Sequence, residues 1–236
     1  MKSGVEIKCL KCKDFGRYHP LANGVPDYSK TVVCECQREI LKRENQIRYM
    51  KYCELPAATE DRTFETFKCD KEGRLKEALH SAHQIVWGQL RWLTLISDVD
   101  RGKTHLAIAI CRQWLADGQS AKYAFVPLLL DELRDGFNNK GENSYEFRFN
   151  FYLHVGLLVL DDLGAEAKTA WSLEKLETII DYRYINDMAT VITSNKTLDE
   201  LNEISPRIRS RILRANMSKV VNISAPEYIT LNKNRR

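Results

Sequence analysis

No stretch of this 236-residue chain reaches eighteen consecutive apolar residues, so nothing in it is long enough to span a bilayer. The start, MKSGVEIKCLKCK, lacks the apolar core of a secretory signal, and the cytoplasm is the expected compartment. There is no internal repeat and no low-complexity tract, which excludes a solenoid, and the tail is basic at Lys233, Arg235 and Arg236. Neither sign of charge dominates. Lys plus Arg total 36 against 32 Asp plus Glu, and the net +4 permits nucleic-acid contact without establishing it. What the chain does have is 44% hydrophobic residues, enough for a real core, and a length that suits one ordinary domain with a small appendage. It also has seven cysteines, which in a reducing compartment point to metal ligation before disulfides.

The rest is organised around residues 92–110, WLTLISDVDRGKTHLAIAI. Leu93 to Ile96 is a short apolar run of strand formers, and Leu106, Ala107, Ile110 and Trp114 recur at helical spacing. Between them lies Arg101-Gly102-Lys103-Thr104. Strand, tight loop and helix is the layout of a P-loop, and the expected nucleotide cradle is Ser97, Asp98, Val99, Asp100, Arg101, Gly102, Lys103, Thr104 and His105. Backbone N–H groups at a helix start point at an anion, and the helix dipole adds positive charge. Gly102 lets the backbone approach a phosphate. Lys103 supplies an ammonium for the β- and γ-phosphates, and Thr104 a hydroxyl for Mg²⁺.

Two features depart from the pattern. The motif asks for Gly where Ser97 stands, and Asp98 and Asp100 put negative charge beside a polyanion. At ~6 Å and an effective dielectric of ~20, each repulsion costs roughly 3 kcal/mol. Pointing the side chains into solvent screens most of it. Arg101 offsets part.

Cys9-Leu-Lys-Cys12 and Cys34-Glu-Cys36 are two close thiol pairs flanking loop formers Pro20, Gly24 and Pro26. Four thiolates so arranged suit a tetrahedral Zn²⁺, and so short a segment needs such a staple. His19 in place of one thiolate, or four unliganded thiols, are the alternatives. Residues 1–37 are the expected zinc unit, 38–54 a charged linker helix with a thin apolar stripe, and 55–236 the catalytic domain. Cys53, Cys69 and Cys111 are expected as small buried apolar residues.

Along that domain, strands are expected at 121–126, 156–160, 189–193 and 220–223, and helices at 73–88, 127–133, 171–184, 198–204 and 207–214. Residues 145–153, YEFRFNFYL, alternate like a strand but sit among helices, and helix is preferred. The two rings of Thr63-Phe64-Glu65-Thr66-Phe67 are core, or one stacks near an adenine pocket. Alternating strands and helices imply a parallel sheet with helices on both faces.

Asp161 and Asp162 end a buried apolar strand, where open α/β sheets bind ligands. On the adjoining strand, Asp161 is expected to hold Mg²⁺ and Asp162 to polarise the attacking water, with Glu166 as a second candidate base. Asn195 ends the next strand and is placed to position that water. Arg207 and Arg211 share one helix face and are candidate arginine fingers.

In GKTHLA (102–107), LLVLDDLGAE (157–166), TSN (193–195) and RIRSRI (207–212), the chain resembles the DnaC/DnaI-type helicase loaders and the related IstB-like proteins of the AAA+ ATPases. TFETF (63–67) resembles the segment preceding their ATPase core. The resemblance implies a three-layer P-loop NTPase with an AAA+ core and ATP, Mg²⁺ and Zn²⁺ as ligands. It gives Lys103 and Thr104 the Walker A roles, Asp161 and Asp162 Walker B, Asn195 sensor 1 and Arg211 the finger. It implies a replicative ring helicase gripped by the N-terminal unit, self-association with ATP, and single-stranded DNA contact around residues 127–153. That stretch holds Arg134, Lys140 and Arg148 with Phe137, Tyr145, Phe147 and Phe149. Relatives often read Asp-Tyr-Arg where this chain reads Glu227-Tyr228-Ile229, so the sensor 2 arginine is missing. With Ser97, this favours a slow ATP switch. An IstB-like transposition helper and a non-hydrolysing zinc adaptor are the alternatives.

Overall fold

The computed structural model describes residues 8–69, 72–165 and 169–227. Glu166, Tyr228, Ile229 and the basic tail at Lys233, Arg235 and Arg236 lie outside them. The chain forms two compact units, Met1–Arg48 and Tyr49–Arg236.

The first unit holds two small antiparallel ribbons, β1 (Arg17–Tyr18) with β4 (Val32–Val33) and β2 (Leu21–Ala22) with β3 (Val25–Pro26). A long helix, α1 (Glu35–Cys53), follows and carries the chain into the second unit. Its stripe residues Ile40, Leu41, Ile47 and Met50 are exposed.

The second unit runs α2 (Lys76–Val86), β5 (Trp92–Ile96), α3 (Lys103–Ala116), β6 (Ala121–Phe125), α4 (Val126–Asp135), α5 (Tyr145–His154), β7 (Leu157–Asp161), α6 (Ala170–Ile185), β8 (Ala189–Ser194), α7 (Leu198–Ile204), α8 (Pro206–Arg214) and β9 (Ser218–Asn222). The five core strands pair in parallel in the order β6-β7-β8-β5-β9. The acid-bearing β7 is therefore not the neighbour of the loop-bearing β5, contrary to the sequence expectation. β8 runs between them.

Both faces of the sheet are covered. Leu93, Leu95, Leu157, Val159 and Val191 pack with α2 and α3. Trp92, Leu158, Leu160 and Ile192 face the other way, toward α4, α5, α6 and α8. Period-two alternation with both sets buried explains why these strands read as continuous apolar runs. Phe67 joins the first cluster, and Phe64 packs against it with its ring stacked on His83 at 4.2 Å. Cys53 and Cys111 are fully buried as expected, while Cys69 is only half-buried.

Residues 145–153 are helical. The Ser144 hydroxyl caps α5 by accepting the Phe147 N–H, a contact that stabilises a helix start by about 1 kcal/mol. The C-terminal end of α5 is pinned by Arg183, whose guanidinium is fully buried. It donates to the carbonyls of Tyr152, Leu153, Val155 and Ala189 and to the Thr190 hydroxyl. Burial lowers its pKa to about 9. This one side chain joins α5, the approach to β7 and the start of β8.

Candidate functional site

The loop after β5 enters α3 at Gly102, whose φ of +85° favours glycine. Lys103 and Thr104 open the helix. A cleft of about 470 Å³ sits over this turn, lined by Val99, Asp100, Arg101, Gly102, Lys103, Thr104 and His105, and across from them by Asp161, Asp162, Thr193 and Asn195. The carboxyl ends of β5, β7 and β8 thus bring the expected residues to one place.

Asp161 is 3% exposed and receives three hydroxyls. Tyr123 donates to Oδ2 at 2.6 Å, Thr193 to Oδ1 at 2.6 Å, and Thr104 lies 3.2 Å from both oxygens. These bonds fix the carboxylate facing the loop, the arrangement needed for a hydroxyl and a carboxylate to share one Mg²⁺. Burial, with the Asp161 charge, pushes the Tyr123 phenol well up. Asp162 adopts φ +63° and receives the Asn195 Nδ2 at 2.5 Å. Burial, and next the charge of Asp161, raise its pKa above the usual carboxylate value. Asn195 Oδ1 accepts from Lys103 Nζ at 2.7 Å, so its carboxamide links the lysine to the second acid. Burial lowers the Lys103 pKa, against the pull of Asp162, Asp161 and Asp98.

Ser97 and Asp98 do not line the cleft. Ser97 is buried beneath the loop on the lysine. The Asp98 side chain is 86% exposed and 3.8 Å from Arg101, so its repulsion toward a phosphate is largely screened. Arg101 donates to the Ala225 carbonyl.

Asp61, Arg62 and Phe125 also line the cleft, and sequence reasoning missed them. Asp61 and Arg62 sit in an aperiodic segment and Phe125 at a strand end, where pattern gives no signal. Thr193 was visible only as part of TSN. His105 Nε2 lies 2.8 Å from the Thr63 carbonyl, tying the preceding segment to α3. The rings of Phe64 and Phe67 are absent from the cleft lining.

Arg211 and Arg207 are not in the cleft. Both reach Asp181 on α6, Arg211 through Nε at 2.6 Å, and Arg211 also lies 4.6 Å from the Tyr184 ring centroid. A finger acts on a neighbour's phosphate, so its own cleft is not where it belongs. In residues 127–153, Phe137 is 58% exposed and stacks on Tyr145 at 4.4 Å, and Tyr145 stacks on Phe149. Arg148 is paired with Glu132 and Arg134 with Asp131.

In the N-terminal unit, the Sγ atoms of Cys9, Cys12, Cys34 and Cys36 all lie within 4.8 Å of one another. Cys9–Cys34 is 3.6 Å and Cys12–Cys36 3.4 Å. Tetrahedral Zn–S bonds of ~2.3 Å require sulfurs about 3.8 Å apart, so the set is compatible with zinc. The Asp14 carboxylate caps the knuckle by accepting the Cys9 and Lys8 N–H groups. The backbone N–H of Cys12, foremost, lowers the Cys9 thiol to about 7, which eases thiolate formation. His19 turns instead to the Lys30 carbonyl at 2.8 Å.

A profile described as "IstB-like ATP binding protein" matches residues 27–209. The replicative helicase loader DnaC of Escherichia coli (strain K12) is 28% identical over 163 residues, covering 67% of this chain and 66% of DnaC. The phage-like element PBSX protein XkdC of Bacillus subtilis (strain 168) is 24% identical over 236 residues, covering 93% and 84%. The crystal structure of the DnaC helicase loader is similar in fold, with TM-score 0.61 at 23% identity, over 72% of this chain and 100% of that one. Among the described residues, no helix is long and apolar enough to cross a membrane.

Proposed function

The chain belongs to the IstB-like ATP binding protein family, and from that premise we propose that it loads a ring-shaped replicative helicase onto single-stranded DNA under the control of ATP. One observation carries the reading. Lys103, Thr104, Asp161, Asp162 and Asn195 converge on one cleft, within the residues 27–209 that match the IstB-like profile, in a chain 28% identical over 163 residues to a replicative helicase loader.

The backbone N–H groups opening α3 and the Lys103 ammonium bind the triphosphate. Thr104 and Asp161 would hold Mg²⁺, which neutralises phosphate charge when bound. Asp162, oriented by Asn195, polarises the attacking water. Its arm is one methylene shorter than the glutamate common in such ATPases, which suits slow turnover. Arg211, with Arg207 beside it, is offered to the γ-phosphate of a neighbouring copy. That contact is head-to-tail and builds rings or open spirals. The four cysteines would hold Zn²⁺, which would give the N-terminal unit the rigidity to grip the helicase. Phe137, Phe147, Arg134 and Lys140 are exposed groups that residues 127–153 present to single-stranded DNA.

The test is the mass of the assembly formed with a replicative helicase and single-stranded DNA. ATP-dependent co-assembly, lost in Lys103→Ala, is expected. Failure to bind any helicase with or without ATP would sink the proposal. An IstB-like transposition helper is the second reading, since the family match leaves other IstB-like roles open. Recovery of a transposase and no helicase from a pull-down would select it.

A further inference from the structure

We infer that Ser97 is a positioning residue that holds the Lys103 ammonium back from the phosphates, so that triphosphate affinity is set by a contest for that ammonium. The inference rests on the cleft being a nucleotide site and says what regulates it.

Lys103 Nζ lies 2.8 Å from the Ser97 carbonyl, 2.9 Å from Ser97 Oγ, 2.7 Å from the Asp98 carbonyl and 2.7 Å from Asn195 Oδ1. An ammonium has three N–H donors. Four oxygens therefore saturate it, and a phosphate oxygen gains a donor only by displacing one of them. The two carbonyls are present whatever side chain stands there. Asn195 Oδ1 is aimed by the bond from Nδ2 to Asp162. Ser97 Oγ is the acceptor that the usual glycine of the motif cannot supply.

The hydroxyl is oriented for that role. Its own proton goes to the Asp98 carbonyl at 2.9 Å, which leaves its lone pairs for Nζ. Ser97 is 9% exposed and Lys103 6%, so solvent does not substitute for the contact. One hydrogen bond to a charged group changes an equilibrium by about tenfold or more. Ser97 thus converts a departure from the phosphate-loop pattern into a brake on nucleotide binding.

The test titrates a fluorescent ATP analogue, and unlabelled ATP, ADP and adenosine in competition, into the full chain and its Ser97→Ala, Ser97→Gly and Ser97→Thr variants. Ser97→Ala and Ser97→Gly are expected to bind ATP about tenfold more tightly than the wild type. Ser97→Thr restores the hydroxyl and is expected to bind more weakly than Ser97→Ala. The gain should appear with ATP and vanish with adenosine, which offers Lys103 no phosphate. A general loosening of the loop would not sort the variants or the ligands in that way. ATP binding by the wild type that Ser97→Ala and Ser97→Gly leave unchanged or weaken overturns the Ser97 assignment alone. Failure of every variant to bind ATP overturns the nucleotide reading of the cleft, and this inference with it.

Discussion

Phe67 fills the space a side chain at residue 102 would need. A Cβ built on Gly102 would stand 2.9 Å from Phe67 Cε2, closer than carbon atoms approach. Phe67 is itself buried and meets His105 edge-on at 5.2 Å. The segment before the core thus presses on the loop from behind. Gly102→Ala meets both that ring and a left-handed backbone, which alone costs roughly 1–2 kcal/mol. ATP-analogue affinity is expected to fall by tenfold or more, with a lowered melting temperature. Adding Phe67→Leu should recover only part of the loss, since the backbone strain stays. Titration and thermal unfolding of the three proteins check this.

Lys103→Ala and Asp162→Asn should separate binding from turnover. The first is expected to abolish ATP-analogue binding. The second leaves binding in place and lowers turnover by about a hundredfold, the low end of what a lost acid–base group costs. Phosphate release and analogue titration on the same preparations read the two effects. Equal binding by wild type and Lys103→Ala would refute the assignment of the loop.

The raised pKa of Asp162 makes stability depend on pH. Between the ordinary value of 3.8 and the folded value, the folded chain binds more protons than the unfolded chain. Stability therefore falls as pH rises through that window. Asp162→Asn removes this contribution. Its gain over wild type in urea midpoint should be small at pH 3.5 and grow to a plateau by pH 7.

Zinc removal should act on the N-terminal unit. Cys12→Ser or a strong chelator is expected to release about one zinc per chain, measured with a colorimetric chelator. Trypsin should then cut within residues 8–48 while a fragment from about residue 49 survives with its ATP binding intact. A chain containing no zinc when purified without chelators would count against the assignment.

Arg183→Leu should be among the most destabilising single changes in the ATP-binding unit. It strips donors from carbonyls at the ends of α5, β7 and β8, buried away from water. A loss of about 3–5 kcal/mol in urea unfolding is expected.

Much of this was legible in the residues. The apolar runs ending at Ile96, Leu160 and Thr193 carry strand identity in their own composition, and Gly102-Lys103-Thr104 with Asp161-Asp162 announce the site. Strand order is another matter. Nothing local encodes that β8 lies between β5 and β7, so the acids were expected one strand too near. On α2, helical spacing puts Leu75, Leu79, Ala82 and Val86 on one face. Leu75 and Ala82 are fully buried, and so are Ala78, Ser81 and Ile85, while Leu79 and Val86 are partly buried; Ser81 satisfies its hydroxyl on the Glu77 carbonyl and reads as polar only in sequence. Asp61, Arg62 and Tyr123 reach the site through tertiary packing, which no spacing rule sees. Ser97 read as a defect because a motif records the usual residue and not the partner an unusual one finds.

The interposed strand also sets how the two halves of the cleft communicate. Asn195 is reached from β8, with the lysine on one side and the second acid on the other. A carboxamide has one donor end and one acceptor end, so it cannot turn to improve either contact without losing both. Anything that draws Lys103 toward a ligand removes one of the two bonds that fix the carboxamide and leaves the bond to Asp162 to hold it alone. In the proposed nucleotide site, a triphosphate that takes the ammonium would thus be felt at the second acid through a single side chain.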